Sequence, residues 1–111
     1  MTQLSDFVGY ELEQAGACEN AEAEFAHLER AHILSQYSTG DHIRVHVAMM
    51  HWSVRQRDAR EFAGQIVRII GAATKTAFGL IPVGNTGGAN VSPIKPMPLP
   101  HDLAAIIAQH R

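Results

Sequence analysis

Apolar residues recur three and four positions apart along most of the chain, the spacing of one face of an α-helix. The first such stretch runs from about Thr2 to Gln14, with Leu4, Phe7, Val8 and Leu12 on one side. A turn over Ala15 to Glu19, helped by Gly16, leads to Asn20, an N-cap residue for a second helix from about Ala21 to Gln36. Its stripe is Ala21, Phe25, Leu28 and Ser35, with His32 at the centre and His27 on the flank. The turn Tyr37-Ser38-Thr39-Gly40 precedes a third helix, Asp41 to Gln56. Asp58 followed by Glu61 resembles a capping box for a fourth, Ala59 to about Ala77, which Gly79 stops. No alternating stretch predicts a strand. The expected class is all-α, with four main helices in two antiparallel hairpins, because short turns make consecutive helices neighbours. Glu24-Phe25-Ala26 recurs as Glu61-Phe62-Ala63, a period close to the roughly 34 residues of tetratricopeptide units. That likeness is architectural: the regular small and aromatic positions of the tetratricopeptide are not reproduced.

The third helix breaks the usual division into apolar and polar faces. At roughly 100° per residue, His42, His46, Met49 and Ser53 fall on one line. Ile43, Val47, Met50 and Val54 flank it on one side, and Val45, Ala48 and Trp52 on the other. Arg44, His51 and Arg55 take the remaining arc. The apolar arc predicts a helix covered on two sides, with His42 and His46 pointing inward and His51 facing solvent. His32, near the end of the second helix, should converge with His42, near the start of the third.

Beyond Gly79 the pattern changes. Gly84-Asn85-Thr86-Gly87-Gly88-Ala89-Asn90 has too much glycine for a regular element. Pro93, Pro96, Pro98 and Pro100 then impose extended backbone. Residues 79–100 are expected to form an ordered strap across a helical core of residues 1–78, anchored by Val91, Ile94, Met97 and Leu99. A short C-terminal helix, Asp102 to about Gln109 within residues 101–111, presents Leu103, Ile106 and Ile107. Together these make one domain of 111 residues, an ordinary single-domain length.

Composition narrows the picture. A hydrophobic share of 46% is enough to bury a core, so the chain is not a disordered tail. A formal net charge of −2 argues against a general nucleic-acid binder. Cys18 stands alone, which removes an internal disulfide and fits a reducing compartment. The amino terminus lacks a basic stretch followed by an apolar run, so a cytoplasmic location is expected. The most apolar run, Ile66 to Val83, is interrupted by Arg68 and Lys75 and reads as a buried helix with a loop rather than a membrane span.

Several of these segments occur together elsewhere. His27-Leu28-Glu29-Arg30-Ala31-His32, then His42 and His46 ahead of Met49 and Trp52, then Gly64-Gln65, Asn85-Thr86-Gly87-Gly88 and Pro96-Met97-Pro98 resemble one small bacterial family catalogued as a domain of unknown function. The resemblance spans roughly Ala21 to Leu103. It implies a stand-alone bacterial protein and brings no reaction, ligand or catalytic residue.

The residues themselves offer three candidate chemistries. His32, His42 and His46 form a possible metal site: two histidines at i and i+4 can share one ion, and a third from the adjacent helix leaves room for water. Such a set suits zinc, nickel, copper or iron, with Glu24, Glu61, Ser53 or Met49 as further ligands. The alternative for each is an ordinary buried histidine with a hydrogen-bonded partner. The second candidate is a groove for a small anionic ligand, with Arg68 and Lys75 on one line of the fourth helix, seven residues apart, and Asn85, Thr86, Gly87 and Gly88 supplying amide donors. The alternative there is a solvated helix face. The third is a non-enzymatic helical interaction module or homo-oligomer using Trp52, Met49, Met50 and Met97. Nucleophilic catalysis has little support, since Cys18 has no nearby histidine in sequence.

Overall fold

The computed structural model describes residues 3–75, 86–88 and 96–111, with side chains at 72–75 excluded. It is all-helical among these residues: α1 Leu4–Ala17, α2 Ala21–Ser35, α3 Thr39–Arg55, α4 Ala59–Lys75 and α5 His101–His110. α1 packs on α2 and α3 on α4, giving the two hairpins. α2 and α3 join the hairpins, and α5 lies against α1 and α2.

Local chemistry accounts for the helix boundaries. Asn20 Oδ1 accepts the Ala23 amide at 3.0 Å and starts α2. Ser38 takes the same role for α3, its hydroxyl facing the Asp41 amide at 3.4 Å. α3 therefore begins two positions earlier than expected, and the turn contracts to residues 36–38. α1 likewise runs past the expected turn at Ala15, because Gly16 is tolerated within it. At the end of α3, Asp58 N donates to Ser53 O at 2.8 Å and Arg57 N to Val54 O at 3.1 Å. This is a Schellman closure, with Arg57 at φ 56° where glycine is usual. Asp58 Oδ1 then caps α4 through the Glu61 amide at 2.9 Å.

The core lies between α1, α2, α3 and α5, with Val8, Leu28, Leu34, Val45, Met49 and Leu103 at 3% exposure or less. Trp52 packs its ring 4.4 Å from Phe25 and donates Nε1–H to Ala21 O at 3.0 Å, closing α3 onto the start of α2. Arg30 of α2 bridges buried Glu11 of α1, at 3.2 Å, and Asp102 of α5. Of the expected strap anchors, Met97 and Leu99 are half-buried. Val91 and Ile94 lie outside the described residues.

α3 packs between α2 and α4; on one flank Val45 is buried, on the other Ile43, Val47 and Met50 are half-buried, and only Val54, near the end, is exposed. The Glu-Phe-Ala repeat is not structurally equivalent. Phe25 packs on Trp52, whereas Phe62 is exposed on α4.

Candidate metal centre

The helical period places His42 and His46 one turn apart on the same face of α3, and the short turn brings His32 of α2 against them. All three imidazoles are buried. Their Nε2 atoms form a triangle with each side 3.1 Å.

Hydrogen bonding among the three rings cannot satisfy this triangle. In a neutral imidazole, Nε2 carries either an N–H or a lone pair. Three corners with two possible states leave at least one side joining like with like, proton to proton or lone pair to lone pair. A cation at the centre removes the conflict, because all three corners can then present lone pairs. The three Nε2 atoms are close enough together that one ion could be held by all three, and a three-histidine set would leave coordination open to water or another ligand.

His46 turns its Nε2 toward the triangle. Its Nδ1 lies 2.5 Å from Gln65 Oε1. The amide of Gln65 is oriented by its other contacts: Nε2 donates to Glu61 Oε2 and, at 2.9 Å, to the Gly87 carbonyl. Oε1 therefore faces His46 as an acceptor, His46 carries its proton on Nδ1, and the Nε2 lone pair points into the triangle. Burial pushes the His46 pKa down to about 4, opposed by the hydrogen bond to Gln65 and reinforced by His42 and Arg68.

Residues 86–88 close onto the same centre. Gly87 adopts φ +85°, and a Cβ there would stand 2.5 Å from His32 Cδ2 and Cγ and 2.8 Å from its Nε2. Only glycine lets the backbone lie this close to the ring. Thr86 hydrogen-bonds Glu29, one turn before His32 on α2. Burial raises the Glu29 carboxyl pKa, the Thr86 bond opposes the rise, and Glu61 adds to it. Gly88 is buried alongside.

The two candidate sites thus converge. Gly87, expected in an anion groove, packs on His32 and offers its carbonyl to Gln65. Arg68 donates to the Gly64 carbonyl at 3.1 Å and lies near enough to Glu61 and His46 to affect both electrostatically. Burial lowers the Arg68 pKa, and Glu61 opposes that shift. Asn85 and the Lys75 side chain lie outside the described residues. Among the other suggested ligands, Glu24 pairs with Arg55 at 3.1 Å, Ser53 donates to Met50 O at 2.6 Å, and Met49 is in the core. Glu61 accepts from Gln65, whose other end meets His46. His27 bonds Glu11 at 2.8 Å, and His51 is exposed, as the helical wheel requires. In the sequence the signal for Gln65 is its i, i+4 spacing from Glu61 on the helix that packs against α3.

None of the described helices is long and apolar enough to cross a membrane. Comparison with curated proteins and with solved structures returns no match. A family model does match, over residues 2–107, and the chain belongs to that family, the proteins of unknown function DUF3703.

Proposed function

We propose that this protein binds a divalent transition metal, zinc, nickel, copper or iron, through His32, His42 and His46. The observation carrying the reading is the triangle of buried Nε2 atoms, whose 3.1 Å sides suit one ion and leave like facing like without it. The donor set of three neutral imidazoles favours these borderline ions over magnesium or calcium, which prefer oxygen. In the same reading the open coordination position takes water or a small anion. Arg68 supplies positive charge beside His46, and residues 86–88 close the site.

The test is titration of tag-free, metal-stripped protein with each ion, read by competition with a chromogenic chelator. One ion per chain is expected for the wild type, lost in His42→Ala and His46→Ala. Wild-type protein that binds no ion more tightly than these variants would remove the reading.

A second reading, a helical interaction module that self-associates, draws on α4. Phe62, Ile66, Val67 and Ile70 are 38–68% exposed along that helix. Sedimentation equilibrium of the wild type and Val67→Glu tests it. Concentration-dependent association lost in the variant favours it, and a monomer at all concentrations refutes it.

A further inference from the structure

Gln65 is fully buried, an unusual place for a primary amide, and its hydrogen-bonding atoms are committed on both sides. Oε1 meets His46 Nδ1, and Nε2 meets Glu61 and the carbonyl of Gly87. Because a carboxylate and a backbone carbonyl accept only, the amide cannot flip without turning both contacts repulsive. A flip would also present an N–H to His46 Nδ1, forcing the imidazole proton onto Nε2 and blocking that corner of the triangle. The contacts to Glu61 and Gly87 therefore decide which nitrogen of His46 is available to an ion.

We propose that Gln65 is the positioning residue of the metal centre: it holds His46 as the Nδ1–H tautomer and joins the centre to the Gly87 backbone. The metal half of this proposal rests on the reading of His32, His42 and His46 as ligands. The tautomer half does not. An amide suits the role differently from a carboxylate. It fixes the proton on Nδ1 without drawing it away, so His46 binds as a neutral imidazole. The negative charge of Glu61 stands one hydrogen bond farther out. A divalent ion held by three neutral imidazoles then keeps its positive charge, and with it the capacity to polarise whatever takes the open position. Gly87 is the other end of the link. Its backbone touches the His32 ring and bonds Gln65, so one residue braces two corners of the triangle at once.

The experiment has two readouts. Long-range proton–nitrogen NMR of the metal-free wild type near pH 7.5 reports the tautomer of each histidine. His46 should show a protonated Nδ1 and an unprotonated Nε2. The reverse pattern overturns the proposal, whether or not metal binds. Cobalt(II), used as the spectroscopic probe ion, is then titrated into wild type, Gln65→Glu and Gln65→Leu. Gln65→Leu, which keeps the volume and removes the acceptor, should bind roughly 10–100-fold more weakly, with an altered visible spectrum. Gln65→Glu keeps an acceptor toward Nδ1 but sets its second oxygen against Glu61 and the Gly87 carbonyl, so it should keep the His46 tautomer and recover only part of the affinity. Wild-type affinity and spectrum in a folded Gln65→Leu overturn the positioning role. If Gln65→Leu does not fold, an unprotonated His46 Nδ1 in metal-free Gln65→Glu overturns it instead. Wild type that binds no cobalt overturns the metal half, while the NMR result still decides the tautomer.

Discussion

Replacing Gly87 by alanine tests the closest contact in the site. Two separate costs attach to the added methyl. The first is conformational: at φ +85° a residue bearing Cβ pays about 1–2 kcal/mol. The second is steric, because the methyl carbon would stand 2.5 Å from two atoms of the His32 ring. Ring atoms cannot bend aside like the end of a lysine, and overpacking of this kind costs about 1–3 kcal/mol. Left in place, the variant would lose about 2–5 kcal/mol.

The protein has a cheaper route. Residues 86–88 can lift away, breaking the bond from Gln65 to Gly87 O and leaving a buried donor to find water. That costs about 1–3 kcal/mol, which limits the total loss to about 3 kcal/mol. Urea unfolding of metal-free protein should therefore show Gly87→Ala less stable by about 2–3 kcal/mol. Metal affinity should fall too, since either response disturbs His32 or Gln65. Gly9→Ala is the matched control. Gly9 lies within α1 with no atom within 4 Å of an added Cβ, so alanine there should stabilise by about 0.5–1 kcal/mol. A Gly87→Ala protein within about 0.5 kcal/mol of wild type, with unchanged metal affinity, would refute the seating of Gly87 on His32.

Other expectations follow from burial and charge. In metal-free protein His46 titrates near 4 when folded and near 6.5 when unfolded, so the unfolded chain binds the extra proton first as pH falls. The stability present above pH 6.5 should decline below it, by about 2 kcal/mol at pH 5. His46→Gln should flatten that part of the curve, and superimposable profiles for the two proteins would contradict a buried neutral His46. Leu103→Ala should cost about 2–5 kcal/mol in the same unfolding assay, because Leu103 is fully buried where α5 meets the core. A loss below 1 kcal/mol would mean that α5 is not docked there. His51→Ala should leave metal stoichiometry unchanged, because His51 is exposed on the face away from His42 and His46. Loss of the ion in that variant would move the site elsewhere.

The parts of this site that could be read in advance are those governed by local geometry. His42 and His46 share a face because of the helical period, and His32 reaches them because the connection between α2 and α3 is short. Neither inference needs knowledge of the rest of the fold. Gln65 and Gly87 were harder because their contacts are distant in sequence and follow no period. In the sequence Gly87 stands in a glycine-rich run and in the Asn-Thr-Gly-Gly motif of the resemblance, and its chemistry there suggests amide donors for an anion. Its described contribution is instead the missing side chain and the carbonyl. Nothing in the run itself distinguishes those uses, because both need the same permissive backbone. The start of α3 differs from the expected Asp41 for a smaller reason: Ser38, Thr39 and Gly40 all suit a turn, and only the cap geometry shows which ends it.

α4 shows where pattern reading fails on physical grounds. Its apolar residues predict a face turned to the core, yet Ile66, Val67 and Ile70 are 40–68% exposed while Glu61 and Gln65 are buried. Among the described residues, α4 adds no hydrophobic side chain to the core cluster. Helix docking ordinarily draws on apolar area at about 25 cal/mol per Å², and that source is weak here. The described contacts that hold α4 toward the centre are polar: the Gln65 bonds to His46 and Gly87, and the Glu61 bond that orients them. Such a network adds little net stability when exchanged for water. With an ion in the triangle it would become a stronger anchor, because Gln65 holds the His46 lone pair toward the ion. Metal at 100 times its dissociation constant should then stabilise the folded protein by about 2.7 kcal/mol. Hydrogen exchange should show that protection concentrated in α4 and residues 86–88, with α1 and α5 nearly unchanged. Uniform protection across the five helices would mean that α4 docks independently of the centre.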